Sequence, residues 1–428
     1  MKGMSYLESK NLFRGVDLHI INAPKFKTNL ISIFFSIPLK RDTVTRAALL
    51  PSVLKRGCEK YPTMKDMSRR LDDLYSASLR AGARLKGDCE VLYFSMEYIS
   101  GKYIPEDLTS SVIDFLRDYI FSPLTENGGF VEDYVTGEKN NLKNAILGLI
   151  NDKKAYAELK CREAMFGQSS YGIFEAGYAE DLDDITPQNL YEFYLDIISN
   201  AKVDIFISGN IDETIISETT EALSSSFAPR NADYIKTEIA ENTDREIKNV
   251  VEDADVVQSK LCMGLRCGVD PTSNECFVLI LASCIFGGSP FSKLFNNVRE
   301  KLSLAYYAFA KTSRFKSVMM ISSGIQTENY QAAYDEIMLQ FNKMQTGEID
   351  DFEIEAAKKY LTNSYNSITD SLHGMEDYYL SQIIMGSRQT ISDLIDNVCK
   401  VEKSQITAVM KKIKFDTVYF LKGNGEVK

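Results

Sequence analysis

Histidine is nearly absent from this chain: only His19 and His373 occur in 428 residues. A catalytic zinc ion takes three protein ligands and keeps a fourth position open. Two histidines with no shared local motif are a poor inventory for such a centre. His19 lies in Val16-Asp17-Leu18-His19-Ile20-Ile21-Asn22, where polar and apolar residues alternate as in a strand. His373 opens His373-Gly374-Met375-Glu376-Asp377, the first half of an HxxEH pattern. Asp377 stands where the second histidine belongs, and Gly374 weakens a helix there. The plain reading of His373 and Glu376 is a solvated pair near a helix end.

Other absences exclude further classes. The eight cysteines form no CxxC pair, which removes zinc-ribbon and thioredoxin-like motifs. They read as buried thiols in a reducing compartment. No apolar run approaches the roughly 20 residues that span a bilayer, so no membrane partner is expected. Met1-Lys2-Gly3-Met4-Ser5-Tyr6-Leu7-Glu8 lacks the apolar core of a signal peptide, and a cytoplasmic location is the expectation. The net charge is −11, which gives no footing for a nucleic-acid partner.

What is present is a long, ordinarily hydrophobic chain, too long for one core. Strand-like stretches at 16–23, 28–38, 77–86 and 89–99 alternate with helical patterns at 43–56, 64–75, 105–121 and 131–166. Thr186-Pro187 starts another helix, and Val203–Asn210 reads as a strand. The polar stretch 227–249 lacks apolar periodicity and reads as a linker. The element order then repeats: strand-like 256–269, helices at 275–286 and 290–301, strands near 305–312 and 317–325, helices at 328–346, 350–368 and 390–413, and a strand at 417–421. In each half a helix ends at a glycine (Gly57, Gly288) and an aromatic-led strand begins eighteen residues later (Tyr75, Tyr306). An internal duplication follows. The expected class is α+β, with two homologous tandem domains, 1–226 and 250–428, joined by 227–249. Each is a mostly antiparallel sheet packed with helices.

Three local motifs carry alternatives. Gly287-Gly288-Ser289-Pro290 lacks a P-loop lysine and reads as a tight turn, with Ser289 as cap. Gly167-Gln168-Ser169-Ser170-Tyr171-Gly172 is one residue too long for a nucleophile elbow. Asp181-Leu182-Asp183-Asp184 reads as a solvated loop rather than a calcium site.

The segment Ala47-Ala48-Leu49-Leu50-Pro51-Ser52-Val53-Leu54-Lys55-Arg56-Gly57 resembles the metal-binding helix of the pitrilysin/insulinase metallopeptidases. The segment Phe286–Tyr306, with Arg299-Glu300 followed by Ala305-Tyr306, resembles that family's C-terminal-domain signature. The family places His, Glu and His at nine, six and five residues before the glycine. Counting back from Gly57 gives Ala48, Pro51 and Ser52, none able to bind zinc or serve as a base. The third ligand, a Glu on a later helix, aligns with Ala145. The resemblance therefore implies one half of a metallopeptidase-like clamshell that has lost its metal site, with no cofactor of its own.

It also implies a role. Some members are two-subunit enzymes in which one subunit carries zinc and the other supplies an Arg and a Tyr that hold substrate. Here those are Arg299 and Tyr306, with Tyr307 as a rival phenol. The implied partner is an HxxEH-bearing homologue carrying zinc, in a heterodimer; a homodimer is the other option. The implied substrate is an extended peptide added to a sheet edge. Two other readings stay open: a peptide- or protein-binding scaffold without proteolysis, and an active zinc peptidase with unrecognised ligands.

Overall fold

The computed structural model describes residues 7–167 and 169–424. The amino-terminal stretch Met1–Tyr6, read above for a signal sequence, and Gln168 of the rejected nucleophile elbow lie outside them. The chain forms two compact units. The first comprises Met1–Leu147, Phe174–Lys236 and Thr369–Ile384; the second comprises Gly148–Ile173, Thr237–Ile368 and Met385–Lys428.

In chain order the first unit supplies β1 (Leu7–Phe13), β2 (Val16–Asn22), β3 (Thr28–Pro38), β4 (Ser78–Lys86) and β5 (Cys89–Ile99). A two-residue-per-strand hairpin, β6 and β7 (Thr125–Glu126, Gly129–Phe130), precedes β8 (Lys202–Gly209). Six strands make a sheet in the order β1-β2-β8-β3-β5-β4. Only β2–β8 is parallel. One face of β3 and β5 presents Ile31, Ile33, Phe35, Leu92, Phe94 and Met96, all buried. The helix Val44–Leu54 covers that face, packing on β4 and β5. Burial of this apolar set, at about 25 cal/mol per Å², is the main force holding the helix to the sheet.

The second unit holds β9 (Lys248–Ala254), β10 (Ser259–Arg266), β11 (Ala305–Ser313), β12 (Val318–Ile325) and β13 (Lys414–Gly423), in the order β11-β12-β10-β13-β9. Again one pair, β13–β9, is parallel and the rest are antiparallel. The sequence β4-β5-β3-β8-β2 of the first sheet matches β11-β12-β10-β13-β9 of the second, strand for strand. The α+β architecture with antiparallel-rich sheets is the one expected from the repeat.

The duplication carries an exchange that the sequence did not disclose. The periodic pattern at 131–166 predicts one long helix. It is two, Glu132–Gly148 and Lys153–Phe166, parted at residues 149–152. Gly148 and Asp152 make the break: the Asp152 carboxylate accepts a hydrogen bond from the Ala155 N–H and starts the second helix afresh. That second helix packs on β10 and β13 of the second unit. Its counterpart Leu372–Ile384, from the other half of the chain, packs on β3 and β8 of the first unit. Each sheet is thus covered on one face by a helix encoded with the other sheet.

Smaller departures have local causes. The predicted strand 256–269 is β10 alone, while β9, which starts inside the predicted linker, was not expected; the helix at 390–413 is split into Ile391–Cys399 and Lys403–Lys412. Thr186 does start its helix, in a capping box with Asn189. Gly57 and Gly288 do not stop their helices through a left-handed turn. A Cβ on Gly57 would lie 2.4 Å from the Pro62 carbonyl oxygen, so it is close chain approach that requires glycine.

Candidate functional site

The helix Val44–Leu54 is built as a metal-binding helix would be, without ligands. Its first turn is fixed by Thr45, whose hydroxyl donates to Asp181 and accepts from the Tyr178 N–H. Arg41 pairs with Asp181 and lies over the Tyr178 ring at 3.6 Å. The acidic string at 181–184 is therefore tied to this helix by a cation and a hydroxyl. At the other end Arg56 bonds Glu138 of the helix Glu132–Gly148. That contact ties the turn after the first helix to the second helix.

Along this frame Ala48 is half-buried, Pro51 buried and Ser52 exposed. Pro51 lies inside the helix. Having no N–H, it leaves the Ala47 carbonyl without its usual helical donor. Ala145 is exposed on the helix Glu132–Gly148, seven residues beyond Glu138. A methyl, a pyrrolidine, a hydroxymethyl and a second methyl cannot coordinate zinc or lower the pKa of a water. Among the described residues no group of three or more His, Cys, Asp or Glu side chains is placed to hold a metal ion. The residues present do not fit zinc.

His373 and Glu376 do not form a metal pair. Their helix lies on β3 and β8, and Glu376 is buried against the sheet. There it accepts hydrogen bonds from Ser32 Oγ (2.5 Å) and Ser208 Oγ (2.6 Å). Burial, partly offset by these two hydroxyls, pushes its carboxyl up to about 8. His373 Nε2 instead sits 3.4 Å from Glu97 Oε2. The next residue, Asp377, accepts from Lys86 Nζ (2.8 Å) and Arg84 (2.6 Å). His19 is equally structural in its contacts. Ser9 and His19 Nδ1 are 2.8 Å apart, and His19 Nε2 is 2.9 Å from the fully buried Asp204.

In the second unit, Arg299 lies on a wide-turned helix, Phe295–Lys301, where the Leu302 N–H reaches back five residues to the Asn297 carbonyl. Its guanidinium lies over the Phe295 ring at 4.7 Å and 3.5 Å from Glu300. Arg299 lines a cleft of about 250 Å³ with the Gly287–Pro290 turn, Phe295, Tyr307, Phe309 and Tyr360. Gly287 lets the turn press on β11: a Cβ there would meet the Ala310 backbone nitrogen at 2.5 Å.

Tyr306 is not among the residues lining this cleft. The register of β11 against β12 slips between Ala305 and Tyr307, leaving Tyr306 as the extra, bulged residue. Its ring is 59% exposed and its oxygen accepts a 2.7 Å hydrogen bond from Gln326 Nε2. The Tyr307 and Phe309 rings lie on the face of β11 away from the Gly287 turn, under Lys154 at 5.3 and 4.2 Å, and the Tyr307 ring rests on Gly324, where a Cβ would come within 2.5 Å. The alternation of side chains left Tyr306 and Tyr307 as rivals, and the bulge puts Tyr306 out of the strand's alternation, exposed beside Gln326. Ser289, read as a helix cap, lines the cleft with its side-chain oxygen unbonded, and Phe309 and Tyr360 lie outside the motif and carried no sequence signal.

Comparison with known proteins gives a consistent picture. Residues 184–361 match the model of a family described as the peptidase M16 inactive domain. The chain is 33% identical to a protein of Bacillus subtilis (strain 168) named "Probable inactive metalloprotease YmfF", over 98% of this chain and 99% of that one. A crystal structure of a conserved protein from Enterococcus faecalis V583 superposes with a TM-score of 0.92 at 29% identity, covering 99% of this chain and all of that one. A peptidase M16 inactive domain from Pseudomonas fluorescens shares the fold, with a TM-score of 0.79 at 15% identity and 99% of each chain covered.

Proposed function

Because the chain belongs to the M16 peptidase family, as an inactive homologue, we propose that it is the non-catalytic subunit of a two-subunit peptidase. The observation that carries this reading is the frame of the metal-binding helix, with Ala48, Pro51, Ser52 and Ala145 at the ligand positions, in a chain whose sequence also keeps the substrate motif with Arg299 and Tyr306. Zinc is supplied by an HxxEH-bearing partner, and this chain contributes substrate binding.

An extended peptide is the substrate class this fold serves best. β4 ends the first sheet and β11 ends the second, so each presents a backbone edge without a strand neighbour among the described residues. Main-chain bonding to such an edge accepts many sequences. Arg299 supplies a planar cation for a carbonyl or a developing oxyanion, and Tyr306 retains a hydroxyl hydrogen to donate. The setting is cytoplasmic: the described chain has no membrane-spanning helix, and its eight cysteines are all unpaired, seven of them buried.

The test is reconstitution. The chain is mixed with an HxxEH-bearing relative from the same cell and cleavage of an unfolded peptide is followed. Activity is expected only in the mixture, and Arg299→Ala is expected to cut its rate at least tenfold. Full activity of the relative alone, unchanged by this chain, removes the proposal and leaves a binding scaffold.

A further inference from the structure

The outer strand β4 of the first sheet has two chemically different faces. It pairs with β5 without a register shift, so Arg80, Gly82, Arg84 and Lys86 share one face. On that face Lys86 Nζ and Arg84 Nη1 both meet Asp377, at 2.8 and 2.6 Å. The Arg84 guanidinium lies over the Tyr93 ring at 5.0 Å. A Cβ on Gly82 would lie 2.7 Å from the Tyr93 hydroxyl oxygen, so Tyr93 fills the space between the two arginines. Cations outnumber the acids that meet them, in a chain of net charge −11. One carboxylate, Asp377, serves both Arg84 and Lys86, and the exposed Arg80 enters no ion pair among the described residues. Glu97, which feels the Arg80 charge, is already bonded by Thr28 and sits 3.4 Å from His373. On the opposite face Leu79, Ala81 and Ala83 pack against the apolar core.

The hairpin fixes which main-chain groups of β4 face outward. Only Gly87 and Asp88 part β4 from β5, and Gly87 has φ +65°, as the first residue of a tight hairpin turn requires. Lys86 and Cys89 flank the turn as a bonded pair, and bonding alternates back along the ladder. Arg80, Gly82 and Arg84 therefore direct their N–H and C=O groups at β5, while Leu79, Ala81, Ala83 and Leu85 direct theirs away from it. These outward groups bond no other backbone group among the described residues. We infer that β4 takes up, as an added strand, a peptide segment in which acidic residues alternate with apolar ones, its acids on the Arg80–Arg84 face. Side chains of an added strand stand beside those of β4 on the same face. Acids four residues apart meet Arg80 and Arg84, whose planar guanidinium groups offer paired donors to a carboxylate. The residue between them stands opposite Gly82, beside Tyr93. The alternate residues extend the apolar face of Leu79, Ala81 and Ala83. This inference rests on the peptide-binding reading and names the class of peptide that one edge prefers.

The experiment titrates labelled peptides with the full chain by fluorescence anisotropy at low salt. One peptide alternates Glu with Val. A second has Gln for every Glu, and a third groups the same Glu residues in one block. A fourth is the first with N-methyl groups on alternate residues, which prevents strand pairing. Opposite-charge pairs across strands are individually modest, so the first is expected to bind about fivefold more tightly than the second and third. The N-methylated peptide is expected not to bind. Arg80→Gln with Arg84→Gln, checked for an unchanged melting temperature, is expected to erase the preference for Glu over Gln. Arg80→Gln alone, at an exposed position, is expected to reduce it about twofold. Equal binding of the Glu and Gln peptides, or a preference that survives the double variant, overturns the inference while leaving peptide binding intact; the arginines then only guard an exposed edge. Block and alternating peptides that bind alike, or undiminished binding after N-methylation, overturn it as well. Failure of both the Glu and Gln peptides to bind overturns it together with the peptide-binding reading, so the two failures are told apart.

Discussion

Ser208 donates a 2.6 Å hydrogen bond to Glu376, joining a strand of the first sheet to a helix encoded 168 residues later. The bond sits in a fully buried place where a carboxylate survives only by keeping its proton. The helix exchange between halves is thus sealed on this side by a carboxyl group as well as by apolar packing.

Stability is expected to fall as the solution becomes alkaline. Glu376 and Glu90 are both buried and both pushed up to about 8, Glu90 by burial alone and with neither oxygen bonded. A carboxyl whose folded pKa exceeds its unfolded one favours folding fully below the unfolded value. That advantage is lost as pH rises between about 4.5 and 8, at up to about 1.4 kcal/mol per pH unit for each group. Glu90→Gln should therefore flatten the profile, raising stability by roughly 1–3 kcal/mol at pH 8.5 relative to its effect at pH 4.5. Urea unfolding at the two pH values measures this. An identical effect of Glu90→Gln at both shows that Glu90 is not a buried neutral acid.

Asp204 is the opposite case, a buried carboxylate held ionised. It is bonded by His19 and Tyr234 and lies 3.4 Å from Lys202, which also meets Asp17 at 2.8 Å. Burial alone would raise its pKa; the Lys202 cation and the His19 and Tyr234 hydrogen bonds outweigh it and hold it below the usual range. Asp204→Ala leaves those donors facing a void and is expected to cost about 3–5 kcal/mol. Denaturant titration would show it; a loss under 1 kcal/mol means the cluster is solvated and dispensable.

Restoring the ligands should restore the metal. With Ala48→His, Pro51→Glu, Ser52→His and Ala145→Glu combined, the chain is expected to take up about one zinc, read by equilibrium dialysis and elemental analysis. The Arg56–Glu138 contact already ties the end of the first helix to the second. The same variant without Ala145→Glu is expected to bind at least tenfold more weakly. Equal binding with and without it shows that Ala145 is not the third ligand position.

The sequence carried the α+β class and the duplicated element order, because these rest on periodicity and on residue identity at fixed spacing. The helix start at Thr186-Pro187 was legible from its cap residue and proline. The exchange of the Lys153–Phe166 and Leu372–Ile384 helices was not, since both are amphipathic and nothing local says which sheet will cover them. The bulge at Tyr306 also escaped, because a single extra residue overrides the two-residue alternation on which strand reasoning depends. Glu376 read as solvated because a charged residue at a helix start usually is. Its two serine partners lie 344 and 168 residues away in the chain.

The proposed function requires that this chain hold no zinc of its own. Elemental analysis of the purified chain, before and after dialysis against micromolar zinc, tests it most directly. The account predicts less than about a tenth of an equivalent in both states, because nothing at Ala48, Pro51, Ser52 or Ala145 can coordinate the ion. Close to one tightly held equivalent, with peptide cleavage by the chain alone that a chelator abolishes, would contradict it.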